Sequence, residues 1–357
     1  MIGQRLRLAR SAAGLSLRDL QERIGNRVTA QAVGKYERNE DMPSSAVLLA
    51  LGVALGVSLD YLLGEQEMVL EGIEFRKRQI ASKKEQAQVE ARALHLIERY
   101  LTVEEILGLP SAHWDKPREA PYPVRELADA EAAAQRLRQH WRLGLDPIPS
   151  LVELLEERGI KVVIAPSEEN IDGLAANVLR GDKEPVRLIV IRQGMQGERQ
   201  RFSLAHELRH MVMEVEGDEK FSEKAAHRFA GAFLMPAEAL WEKVGKHRSS
   251  VSFAELFELK RLFGASAQAV AYRCADLGIF PRSLSEQLFR QFSRLGYRSA
   301  PQYEPHPLKE EVPRRFERLC YRAIAEEAVS EAKAAELLGL SVRELSRRME
   351  EPEHVGA

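Results

Sequence analysis

The chain has 357 residues, 45% of them hydrophobic and 30% charged, with a formal net charge of −2. That length asks for two or three domains, the composition excludes a disordered chain, and the small net charge leaves any nucleic-acid binding to a local patch. Aromatic residues make up only 6%, and the richness in Ala, Leu, Glu and Arg favours helix, so the expected class is mainly α with a small β-sheet (α+β). Cys274 and Cys320 cannot build a disulfide framework or a four-thiolate metal site, and they are expected as buried thiols of a reducing cytosol. The opening MIGQRLRLARSAAG lacks the apolar centre of a signal peptide. No apolar run approaches the ~20 residues of a membrane helix, so a cytoplasmic protein without a membrane partner is expected.

Residues 1–64 read as five short helices. Gly14 breaks the first, Ser16 caps the second, Thr29 caps a third that runs to about Arg38, Pro43 and Ser44 open the fourth, and Ser58 caps the fifth. Residues 65–124 read as a charged linking helix, from about Glu71 to Leu107, that becomes packed near Leu94, Ile97, Leu101 and Ile106, followed by a linker holding Pro110, Pro117, Pro121 and Pro123. Residues 125–285 begin with a helix at 126–141, then a helix stopped by Gly159 and a strand at 160–165. Two more strands, 174–179 and 186–192, join through Gly181 and Asp182. Helices are expected at 197–213, 221–234, 236–245, 252–263 and 266–277. Residues 286–357 form a helical C-terminal region ending in two Ser-capped helices, from Ser330 and Ser341, separated by Gly339. That spacing suits a helical hairpin closing a domain, or a second helix-turn-helix using Arg343, Arg347 and Arg348.

The segment RFSLAHELRHMVM carries His-Glu-x-x-His at His206, Glu207 and His210. Helical residues four apart share a face, so both imidazoles can reach one metal ion while Glu207 takes a proton from the water that attacks a carbonyl. A catalytic zinc ion needs a third protein ligand. Downstream, Glu223 supplies a carboxylate, Glu219 is another option, and His227, four residues after Glu223, can either hydrogen-bond a ligand or ligate in place of Glu223.

AHELRHMVM followed by EKAAHRFAGAFLMP resembles the ImmA/IrrE family of zinc metallopeptidases over roughly residues 125–280, with Asp172-Gly173 and ERQRFSLAHE as matching flanks. The resemblance implies a zincin-like fold, Zn2+ held by His206, His210 and Glu223, and Glu207 as general base. Arg209 stands where the family usually has Gly, and His227 where it has Asn or Asp.

LSLRDLQERIGNRVTAQAVGKYERNEDMPSS resembles the XRE (Cro/repressor-like) family, over about residues 3–64. That resemblance places Ala30, Gln31, Gly34 and Lys35 on the exposed face of a recognition helix capped by Thr29, with Arg18 and Arg38 as phosphate contacts. Leu17 departs from the family, which often has a phosphate-gripping Gln there. Lys and Arg minus Asp and Glu over 1–64 is 8 minus 6, or +2, which favours a homodimer on a two-fold double-stranded DNA operator. The combined expectation is a transcriptional regulator whose peptidase cleaves a partner or repressor protein in stress or mobile-element control. The alternative is an antitoxin whose peptidase-like domain binds a toxin without catalysis.

Overall fold

The computed structural model describes residues 2–64, 68–77, 82–111, 113–166, 171–298 and 304–350. The first five helices are α1 (Ile2–Ala12), α2 (Leu17–Arg23), α3 (Ala30–Glu37), α4 (Ser45–Leu55) and α5 (Leu59–Leu63). The Ser16, Thr29 and Ser58 hydroxyls accept the N–H groups of Asp19, Ala32 and Tyr61, so these three caps are made, whereas Ser44 at the start of α4 makes no side-chain cap bond. Leu6, Leu20, Val33, Leu51 and Leu62 are fully buried and give this bundle its own core.

The stretch after it departs from the expected helix. Residues Val69–Lys77 form a strand, β1, and the linking helix α6 starts only at Lys83, running to Ile106 from a Ser82/Glu85 capping box. β1 has the strand formers Val69, Ile73 and Phe75 around Gly72, which takes a positive φ of 62° at a register shift, as a bulge requires. Val89, Ala93, Ile97, Tyr100 and Leu101 of α6 are buried against the sheet, so the packing expected around Ile97 and Leu101 extends back along the helix to Val89. The Pro-rich segment ends in β2 (Tyr122–Val124).

The following elements are α7 (Leu127–His140), α8 (Leu151–Glu157), β3 (Ile160–Ala165), β4 (Ile171–Arg180), β5 (Lys183–Arg192) and α9 (Gly197–Val212). After them come β6 (Met213–Val215), α10 (Glu219–Leu234), α11 (Ala237–Val244), α12 (Phe253–Phe263), α13 (Ala267–Asp276) and α14 (Arg282–Arg294). The chain closes with α15 (Arg315–Ala325), α16 (Glu331–Leu338) and α17 (Val342–Glu350). The four-stranded sheet has the order β1-β4-β5-β3, with β4 antiparallel to both neighbours and β3 parallel to β5, while β2 pairs in parallel with β6.

Alternation along the strands gives the sheet two buried faces. Ala175, Ile189, Ile191 and Val162 join the core that holds α9, α10 and α13. Leu174, Ala176, Val178, Leu188 and Val190 face α6 and, from the C-terminal region, Leu319 and Cys320 of α15. Both cysteines are buried and free, and burial pushes each thiol up to about 12. In the C-terminal hairpin Ala334, Ala335 and Leu345 make a small core of their own, with Gly339 in the left-handed turn.

Two polar devices tie the layers together. Arg5 of α1 pairs with Glu98 of α6 at 2.6 Å and donates to the Tyr61 carbonyl, while Tyr61 meets the His95 ring edge-on at 5.3 Å. Arg92 donates to the carbonyls of Ala12 and Pro166, touching both modules. Further along, an extended strap, 304–314, is laced to the start of α9: Gln200 and Glu311 exchange side chain-to-backbone bonds at 2.7 Å, and Leu308 donates to Glu198 at 3.0 Å. Buried Lys260 bridges Glu198 and Glu304. Gly197 permits the crossing, because a Cβ there would lie 2.3 Å from the Lys309 carbonyl oxygen.

Candidate metal centre and nucleic-acid face

α9 is helical because nothing between Glu198 and Val212 breaks it, and Leu204, Ala205, Leu208 and Val212 fix its buried face. His206 and Glu207 are buried on it, whereas His210, one turn later, is half-buried. α10 starts at Asp218, whose carboxylate accepts the Phe221 N–H, and it packs against both α7 and α9 with Ala225, Ala226, Phe229 and Ala230 buried. The packing of α10 on α9 sets Glu223 and His227 opposite His206.

The Glu223 carboxylate lies between two imidazoles: Oε1 is 3.9 Å from His206 Nε2, and Oε2 is 3.7 Å from His227 Nε2. The His206 and His227 ring centres are 5.8 Å apart, and Phe202 meets the His227 ring edge-on at 5.6 Å. Among the described residues, the group whose ligand atoms all lie within 4.8 Å of one another is His206, Glu223 and His227. That group differs from the expected His206, His210 and Glu223. The His210 ring centre lies 6.1 Å from that of His206, and His227 takes a place in the tight group that the sequence reading gave to His210. Glu219, at the first position of α10, is outside the group. Two imidazoles and a carboxylate are the donor types that zinc takes, and the mouth of the site is open, since Glu223 and His227 are about half exposed.

Glu207 is seated by β4. A Cβ at Gly173 would come within 3.5 Å of Glu207 Cγ and 3.0 Å of the Val190 carbonyl oxygen, so the strand backbone approaches α9 where only Gly fits without displacement. Next to it, buried Asp172 forms ion pairs with Arg199 of α9 and Arg192 of β5 and so holds helix and sheet in register. Asp172-Gly173 is noted in the sequence only as a flank; the structure shows what each residue does.

On the first module Arg18, Thr29, Gln31, Lys35 and Arg38 are exposed, and Ala30 is half-buried. Gly34 corrects the expectation. It is buried, and a Cβ there would meet Leu17 Cδ1 at 3.5 Å and Arg38 Nη1 at 3.3 Å, so it is the seat on which α2 crosses α3 and not a base contact. Leu17, the departure from the family pattern, packs on that seat. Arg38 is paired with Glu40 at 2.6 Å, which partly neutralises it. Sequence reasoning missed Gln21, whose Oε1 accepts the Ala30 N–H at 2.8 Å while its Nε2 donates to Asn26. Gln21 thereby fixes the start of α3, and its position at the end of α2 carried no motif to reveal it.

Residues 6–62 match the family model described as helix-turn-helix, and residues 155–275 match the one described as IrrE N-terminal-like domain. A search of curated proteins finds no match. Among the described residues no helix is long and apolar enough to cross a membrane.

Proposed function

Because the chain joins an XRE-type helix-turn-helix module to an ImmA/IrrE-type peptidase-family domain, we propose that it is a cytoplasmic DNA-binding regulator whose second domain is a zinc-dependent endopeptidase cleaving a partner protein. The observation that carries this reading is the placement of buried Glu207 beside His206, with the Glu223 and His227 donors facing it across the α9–α10 contact.

His206, His210 and Glu223 would hold the ion, with His227 alongside. A bound zinc ion supplies polarisation of the scissile carbonyl and acidifies water near neutral pH. The protein's own part is proton movement and positioning. Glu207 accepts the proton of the attacking water at a carboxylate oxygen and delivers it to the leaving amine. Gly173 and the Asp172 ion pairs keep that carboxylate from drifting. On the DNA side, Gln31 and Lys35 read bases from the start of α3 and Arg18 contacts phosphate, with two copies of the chain on a two-fold operator.

Glu207→Gln keeps the shape of the side chain and removes its basicity. Cells carrying wild type or this variant are compared by mass spectrometry of newly formed protein termini and by transcription of the controlled operon. General-base loss costs on the order of 100- to 10,000-fold in rate, so the termini that depend on wild type should vanish while zinc and DNA binding persist. Unchanged termini and unchanged derepression would replace the peptidase by a toxin-binding antitoxin.

A further inference from the structure

His227 is the one residue in the tight donor group that departs from the family pattern, and its geometry says more than a hydrogen-bonding role would. If it only supported Glu223 from outside, the two should meet at ordinary hydrogen-bond distance, about 2.7 to 3.2 Å. They are 3.7 Å apart, and Glu223 keeps nearly the same separation, 3.9 Å, from His206 on the neighbouring helix. Two ligand atoms bound to one tetrahedral ion at bond lengths of about 2.1 Å lie about 3.4 Å from each other. Both separations come within a few tenths of an ångström of that value, and a single carboxylate presents one oxygen towards each imidazole. A pairing confined to the exposed face of α10 would account for His227 and Glu223, four residues apart, but not for the convergence of His206 from α9. The edge of Phe202, also on α9, holds the His227 ring on that side.

We infer that His227 is a direct ligand of the bound ion, so that this chain offers three imidazoles (His206, His210 and His227) and the Glu223 carboxylate. The inference rests on the metal-binding reading above. It sets this chain apart from relatives with Asn or Asp at the same position, and it has a consequence for access. A catalytic zinc ion keeps one position for water beside three protein ligands. A fourth protein donor competes for that position, and half-exposed His227 is the donor best placed to leave it.

Metal affinity alone cannot test this, because loss of an outer hydrogen-bonding partner also weakens binding by about 10- to 100-fold. Counting imidazoles can. The full-length protein is loaded with Co2+, and the exchangeable, paramagnetically shifted imidazole N–H resonances are counted by proton NMR. Wild type should give three, and His227→Asn and His227→Gln should each give two, with the unfolding temperature of the metal-free protein little changed because the His227 side chain is about half exposed. Two resonances in wild type, left as they are by both substitutions, would overturn the inference while the metal centre stands. Failure of wild type to bind Co2+ at all would bring down the metal reading itself, and this inference with it.

Discussion

Glu104 is a sharp place to test how the C-terminal helices are fastened to the sheet. Its carboxylate is 1% exposed, and one oxygen accepts from Lys161 Nζ of β3 at 2.5 Å and from Arg315 of α15. Lys161 is equally buried and lies over the Tyr100 ring at 4.5 Å, whereas Arg315 is a quarter exposed and also donates to the Tyr100 hydroxyl. Glu104→Gln removes the anion at constant volume and strands Lys161 more than Arg315. Breaking a buried pair from one side costs about 3 to 5 kcal/mol, and the alternative partners of Arg315 place the expected loss near the lower end, about 3 kcal/mol. Burial already pushes the Lys161 ammonium below its ordinary range, so the variant relieves itself by releasing that proton. The unfolded chain then binds more protons than the folded one, and the deficit shrinks as pH rises. Glu104→Leu combined with Lys161→Met, which removes both charges, should recover most of the loss. The assay is urea unfolding of the full chain with peptide-resolved hydrogen exchange in α6, β3 and α15. A loss below about 1 kcal/mol for the single variant, with no recovery in the double, refutes the claim that a stranded buried charge governs this joint.

Two more outcomes follow from the interface of the DNA module and from its exposed helix. Burial, reinforced by Arg99, pushes the His95 imidazole down to about 4 from 6.5. As pH falls from about 6.5 towards 4 the unfolded chain takes up a proton that the folded chain withholds, so up to about 3 kcal/mol is lost in that window, less for the ring edge that water reaches. His95→Gln should flatten thermal unfolding curves between pH 7 and 4; parallel curves for variant and wild type would reject the assignment. Gln31→Ala with Lys35→Ala should erase preference for a selected operator over random duplex while salt-dependent binding remains, measured by fluorescence anisotropy at several ionic strengths. Retained preference would move sequence reading elsewhere on the module.

What the sequence disclosed and what it withheld divide along a physical line. The Ser16, Thr29, Ser58 and Ser330 caps are local hydrogen bonds, so residue type and spacing suffice to find them. The β4–β5 hairpin was legible for the same reason, as its Val and Ile runs flank the Gly181-Asp182 turn. His206 and Glu207 were found because a helix fixes their relation. β1 was not, because its partner β4 lies about 100 residues onward and its charged residues resemble a solvated helix until the pairing is known. Gly34 was placed on the wrong face because its burial depends on Leu17 from another helix. The strap at 304–314 has no periodicity at all, and its role comes from polar bonds to Glu198, Gln200 and Arg201, more than 100 residues earlier in the chain.

The strand β1 also works as a tether under load. Five peptide steps separate Gly64 at the end of the DNA module from Val69, which span at most roughly 18 Å when fully drawn out. Any excursion of the module beyond that length must be taken from the β1–β4 ladder, one residue pair at a time, beginning at Val69 opposite Leu179. Near the far end of that ladder, one pair before the last at Lys77 opposite Ile171, Arg76 stands opposite Gly173, the glycine against which Glu207 rests. Pulling on the DNA module therefore unzips the strand towards the carboxylate and reaches it only after the pairs from Val69 to Phe75 have parted.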